Sequence, residues 1–306
     1  MNDEQIRISD DGYLELPPLI DTHTHCADAG VHPPQGMSLW ELVAPPDGLK
    51  HRYLRDTPRE TLVRDMAEFS ERARSNGIAG FVDFREGGPE GCRMLREASP
   101  HAFILGRPVS PSFNSMEMDE LLSVADGLGL PSLSDMGEAY VEKCAEAAHA
   151  AGKPFAIHVS ERVREDIETV LGLDPAFVVH MVQATDADLR ACADAGVPVV
   201  VCPRSNRYFG MEPPVVRMLD AGITVSIGTD NAMLCSPDLR PEALIVSEML
   251  GKSGRDPSDA IRILASGSET IRSRIGMEIA EKHTRIPVPD GNPLSALTGD
   301  GPVQLF

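Results

Sequence analysis

Pro18-Leu19-Ile20-Asp21-Thr22-His23-Thr24-His25 is the stretch on which the reading of this chain turns. It begins apolar and ends polar. On an extended backbone alternate side chains share a face, so His23 and His25 point to the same side. A short apolar run without alternation fits a strand covered on both faces, as in a parallel sheet. The same kind of run recurs. After a first strand at Pro18–Asp21, strands are expected at Ala79–Phe84, Phe103–Gly106, Leu122–Asp126, Phe155–His158, Phe177–His180, Val197–Cys202 and Thr224–Gly228.

Helical patterns lie between these runs. Arg59–Ser75 carries Leu62, Val63, Met66, Phe69 and Ala73 at helical spacing, and Asp135–Ala151 runs to Gly152 as a C-cap. Further helices are expected at Arg162–Leu171, Asp186–Ala195, Pro214–Ala221 and Leu239–Leu250. Strand alternating with helix eight times predicts an α/β chain, a closed parallel (β/α)8 TIM barrel over about residues 17–275. The chain reads as a single domain, 1–306, with an irregular proline- and glycine-rich tail from Glu281. An open doubly wound sheet is the alternative. No glycine-rich phosphate fingerprint follows any strand, and Gly87-Gly88 alone is too little.

Composition narrows the partners. The net charge of −19, from 47 acidic against 28 basic residues, repels phosphate backbones and disfavours nucleic acid. Hydrophobic residues at 42% and charged residues at 25% exclude wholesale disorder. Six scattered cysteines without a C-x-x-C pair fit reduced thiols in the cytoplasm. The polar leader is not a signal peptide, and no apolar run approaches the ~20 residues that span a bilayer, so no membrane partner is expected. A homo-oligomer stays open.

The informative residues end the strands. His23 and His25 close the first, His158 the fifth, His180 the sixth, and Asp230 follows the eighth. In a barrel such positions converge on one mouth. Any one of these histidines could be a satisfied core residue. Together with a carboxylate they suit one divalent cation, Zn²⁺ or Fe²⁺, with an open position for water. In the loops, Arg85, Arg107, Arg204, Asn206 and Trp40 are candidates to contact a small-molecule substrate. Arginine forks would suit an anionic substituent, and Trp40 could stack on a ring or simply pack.

The pieces IDTHTH (20–25), IHVSE (157–161), VVHMV (178–182), VCPRSN (201–206) and IGTDNA (227–232) occur in that order. In them the chain resembles the deaminase and chlorohydrolase branch of the amidohydrolase superfamily. The resemblance implies His23, His25, His158 and Asp230 as metal ligands, with His180 beside the metal. It implies Asp230 as acceptor of the water's proton and Glu161 as a proton shuttle to the substrate ring and the leaving amine. The implied reaction is attack by metal-bound hydroxide on a heteroaromatic amine (a purine, pterin or pyrimidine derivative) with release of ammonia. Binuclear members bridge two metals with a lysine on the fourth strand. This sequence has no lysine between Lys50 and Lys143, so one metal is expected. Many members carry a β-sandwich built from both termini. Only residues 1–17 precede the first strand, so that sandwich is expected to be truncated or absent. Two other readings stay open: a hydrolase of another C–N bond or of a halogenated ring, and an inactive barrel serving as a binding or assembly protein.

Overall fold

The structure is a computed structural model that describes residues 6–43, 47–299 and 301–306; the first five residues of the polar leader lie outside it. Eight strands are parallel neighbours in one sheet: β1 (Leu19–His25), β2 (Ile78–Arg85), β3 (Ala102–Gly106), β4 (Gly127–Leu130), β5 (Phe155–Val159), β6 (Phe177–His180), β7 (Val199–Val201) and β8 (Val225–Ile227). A ninth, two-residue strand, Asp230–Asn231, pairs in parallel with Thr24 and His25 of β1. The sheet curls and is wrapped by helices, an α/β, TIM-barrel-like architecture. Every residue of β1 and β2 is buried, as expected for strands covered on both faces.

The two ends of the sheet are drawn together by polar groups of β1. Thr22 Oγ1 donates to the carbonyl of Ile227 at 2.9 Å. Asp21 accepts from the Thr229 backbone N–H at 3.0 Å and from its hydroxyl at 2.6 Å. Gly228 makes the approach possible, because a Cβ there would lie 2.8 Å from the His23 backbone nitrogen. The helix Asp259–Ile275, which the sequence reading did not anticipate, packs on both β1 and β8 and covers the seam.

Three expectations need correction. Leu122–Asp126 is not a strand; most of it belongs to the helix Ser115–Val124, whose buried face includes Leu121 and Leu122. That helix is capped by Asn114, which accepts from the Met116 and Glu117 N–H groups. The strand comes just after it, as Gly127–Leu130, and its glycines hide it from a reading based on β-propensity. The helix expected from Arg162 starts only at Ile167, with Asp166 as its cap. Finally, the tail after Glu281 is not simply irregular. Thr284–Pro287 and Gln304–Leu305 join Arg7–Ile8 and Tyr13–Leu16 in a four-stranded antiparallel sheet, so a flanking sheet from both ends is present. Among the described residues no helix is long and apolar enough to cross a membrane.

Candidate functional site

The C-terminal ends of β1, β5 and β6, and the turn after β8, bring five side chains together. His23 Nε2 lies 3.4 Å and His25 Nε2 3.6 Å from Asp230 Oδ1. The His158 ring stands 4.8 Å from that of His23 and 5.5 Å from that of His25, centroid to centroid. One ligand atom each from His23, His25 and His158 lies within 4.8 Å of the others, and the same holds for His23, His180 and Asp230. Both triads could hold a metal ion.

Hydrogen bonds behind the rings set which nitrogen faces inward. His158 Nδ1 is 2.8 Å from the carbonyl oxygen of Leu130. A carbonyl only accepts, so Nδ1 carries the proton and Nε2 keeps its lone pair. His25 Nδ1 faces the Phe84 carbonyl at 3.1 Å and Glu86 Oε1 at 3.0 Å, with the same consequence. Both His23 nitrogens are buried without a hydrogen-bond partner among the described residues. Leaving such atoms unpaired costs about 1–3 kcal/mol each, and a bound cation would relieve one of them. Asp230 is held by Ser205 Oγ, which donates to Oδ2 at 2.5 Å, and by Asn231 Nδ2, which donates to Oδ1 at 2.9 Å.

The backbone is strained where these groups sit. His180 has φ 77° and Asp230 φ 65°, left-handed values that side-chain-bearing residues rarely adopt. Each costs about 1–3 kcal/mol and persists only when its surroundings impose it.

Electrostatics favours the neutral form of three of the four imidazoles beside an ionised carboxylate. Burial pulls His23 down to about 4 and His180 to about 4. Burial, then the neighbouring histidines, take His158 well below its ordinary value. For His25, burial and Lys50 pull down, but the carboxylates of Glu86 and Asp230 outweigh them and the pKa is raised. Burial works against ionised Asp230, yet the contacts with His23, His180 and His25 hold it well below the usual range. Lone pairs on neutral imidazoles beside a carboxylate are the donor chemistry of a Zn²⁺- or Fe²⁺-type site.

Glu161 lies beside this centre. Its Oε1 is 3.7 Å from His180 Nε2, and burial, reinforced by Asp230, pushes its pKa up to about 8. It stands on a bend ahead of Ile167 rather than at a helix start. The bend is clamped from both sides: Ser160 N–H donates to Glu165 Oε2 at 3.0 Å, and Glu165 N–H donates to Ser160 Oγ at 3.0 Å.

A pocket opens over the centre, lined by His25, Lys50, Glu86, Arg107, Glu161 and Asp230 among others. Arg107 is the one residue of the five loop candidates that lines it. Arg85 is buried, its Nε donating to the Gly91 carbonyl at 3.1 Å. Arg204 is tied to Glu242 Oε1 at 2.6 Å and to the Asp238 carbonyl at 3.0 Å. Asn206 is buried near the site, and Trp40 is 61% exposed with the Arg162 guanidinium 5.4 Å above its ring. Sequence reasoning missed Lys50, and it gave no role at Asp230 to Ser205 and Asn231, which lie in the quoted motifs. Lys50 sits on the helix Leu49–Asp56, far from any strand end, and only its burial marks it. As expected, β4 carries no lysine.

The profile of the Amidohydrolase family matches residues 15–271. This chain belongs to the amidohydrolase family. A provisionally named aminohydrolase of Methanothermobacter thermautotrophicus is 32% identical over 289 residues, covering 86% of this chain and 75% of that one. A 5-methylthioadenosine/S-adenosylhomocysteine deaminase of Haloquadratum walsbyi is 26% identical, covering 85% of this chain and 66% of that one. Among solved structures, the zinc complex of atrazine chlorohydrolase TrzN from Arthrobacter aurescens superposes with a TM-score of 0.73 at 15% identity, over 96% of this chain and 82% of that one. That likeness shows the fold of this amidohydrolase and nothing finer.

Proposed function

We propose that this amidohydrolase is a metal-dependent deaminase of a small heteroaromatic amine, a purine, pterin or pyrimidine derivative, releasing ammonia. The observation that carries the reading is the convergence of four histidines and Asp230, with Glu161 Oε1 3.7 Å from His180 Nε2 beside them. His23, His25, His158 and Asp230 would hold one divalent cation. Such a cation acts as a Lewis acid and brings the pKa of water toward about 7.

The chain's own residues supply the rest. Asp230, ionised and aimed by Ser205 and Asn231, accepts the proton of the attacking water. Glu161, neutral near pH 7, protonates the ring nitrogen next to the attacked carbon. His180 donates a hydrogen bond to the oxygen on which charge develops. The proton held by Asp230 then passes to the amine, the C–N bond breaks and ammonia leaves, while Glu161 recovers a proton from the hydroxyl of the intermediate as its C=O forms. Arg107 fits an anionic substituent, because no partner holds its guanidinium among the described residues. The deaminase names of relatives support the choice of leaving group. The six cysteines, all free and buried, support a reducing, cytoplasmic setting.

The test is an ammonia-release screen over aminopurines, pterins and aminopyrimidines. Turnover of at least one class is expected. Release of chloride from halogenated rings, with no ammonia from any amine, would replace the deaminase reading by the chlorohydrolase one. No turnover of any kind would favour a binding role.

A further inference from the structure

We propose that Glu86 is a positioning residue for His25 and that Lys50 is the buried counter-ion that keeps Glu86 aimed at it. This rests on the reading of His25 as a metal ligand. One carboxylate oxygen, Glu86 Oε1, meets both His25 Nδ1 at 3.0 Å and Lys50 Nζ at 2.6 Å. Both Glu86 and Lys50 are buried, so this pair is not a solvated surface contact. Lys50 also donates to Asn231 Oδ1 at 3.2 Å and lies 3.7 Å from Asp28 Oδ2. Asn231 in turn donates to Asp230 Oδ1 at 2.9 Å. A single side chain thus braces two members of the centre from the pocket wall: His25 through Glu86, and Asp230 through Asn231.

The physical case is comparative. A buried ion pair is weak evidence for stability, since apolar residues of similar volume often serve the fold as well. A carboxylate behind a metal-binding imidazole, by contrast, fixes its tautomer and raises the basicity of the inward nitrogen. The Phe84 carbonyl, 3.1 Å from the same Nδ1, can fix the tautomer without Glu86 but brings no charge. Glu86 without Lys50 would be a lone buried anion, drawn toward water or toward Arg85 Nη1, 3.6 Å from its other oxygen. Lys50 keeps the first oxygen on the histidine.

The test uses cobalt(II) and the full chain, with affinity read by competition against a chromogenic chelator and the site by its d–d absorption. Glu86→Gln should bind cobalt about 10–100-fold more weakly with an altered spectrum, and Glu86→Asp should recover part of the loss. Lys50→Met should weaken binding by itself, and the two losses together should exceed that of the double variant, because the route through Glu86 Oε1 is shared and only the route through Asn231 is left to Lys50 alone. Wild-type affinity and spectrum in Glu86→Gln, or losses that simply add in the double variant, would overturn the proposal. If Glu86→Gln does not fold, wild-type affinity in both Lys50→Met and Glu86→Asp overturns it equally. A wild-type chain that takes up no cobalt would sink the metal reading itself, and this proposal with it.

Discussion

Among the described residues Glu161 differs from the other carboxylates lining the pocket in having no donor within hydrogen-bonding distance, and burial pushes its pKa up to about 8. Glu161→Gln should retain the cation yet lower kcat by about 10²–10⁴-fold, the usual contribution of a placed acid. Steady-state kinetics with metal analysis of the same sample checks it, and an unchanged kcat would remove Glu161 from the mechanism. Ser205→Ala takes one hydrogen bond from Asp230. It should weaken turnover less than Glu161→Gln, with the cation still bound. At this scale the sequence was legible wherever a polar residue ended an apolar run: His23, His25, His158, His180 and Asp230 all meet. Lys50 was not, since it reaches the centre through tertiary packing that no local pattern encodes; Ser205 and Asn231 lay inside the quoted motifs, but their bonds to Asp230 were not read from them. Arg204 was misleading for a physical reason, because buried Glu242 takes its Nε and the Ser236 and Asp238 carbonyls take its Nη2.

The helix Asp186–Asp194 shows how a local signal settles an element. Thr185 Oγ1 accepts from the Asp188 N–H at 3.2 Å, and Asp188 Oδ2 accepts from the Thr185 N–H at 2.8 Å, a reciprocal capping box. Asp188 is also gripped by both ends of the Arg164 fork, at 2.7 Å each. Thr185→Ala should cost about 1 kcal/mol in chemical denaturation. The Arg164 fork, with the Thr185 bonds, lowers the Asp188 pKa from 3.8 to about 2. A depressed carboxyl stabilises the fold above its unfolded pKa, and that share is lost as pH falls through the folded value. Between about pH 4 and pH 2, wild-type stability should therefore drop more steeply than that of Asp188→Asn, as followed by urea titrations at each pH. Parallel slopes would contradict this. The clear helical spacing of Arg59–Ser75 was legible to the residue, and Asp186–Asp194 to within one residue at its end. The glycine-bearing β4 was not, nor was the helix Asp259–Ile275, which follows the last expected helix, where the alternation of strand and helix supplies no cue.

Across the whole molecule, the terminal sheet is fastened to the body beneath β1. Buried Thr284 donates through Oγ1 to the Gly77 carbonyl at 3.1 Å and accepts from the Leu19 N–H at 3.2 Å. Thr284→Val keeps the shape but removes both of these hydrogen bonds, so about 1–3 kcal/mol of stability should be lost in guanidinium unfolding. A midpoint equal to wild type would show that the sheet is held by apolar contacts alone. The same fastening places β1, and with it His23 and His25, at the rim where β5, β6 and the Asp230 turn arrive. Whether that rim binds a cation is decided most directly by elemental mass spectrometry of the dialysed chain and its His158→Ala variant. The account predicts one divalent ion per wild-type chain and almost none in the variant. An ion-free wild type, or a fully loaded His158→Ala, would contradict it.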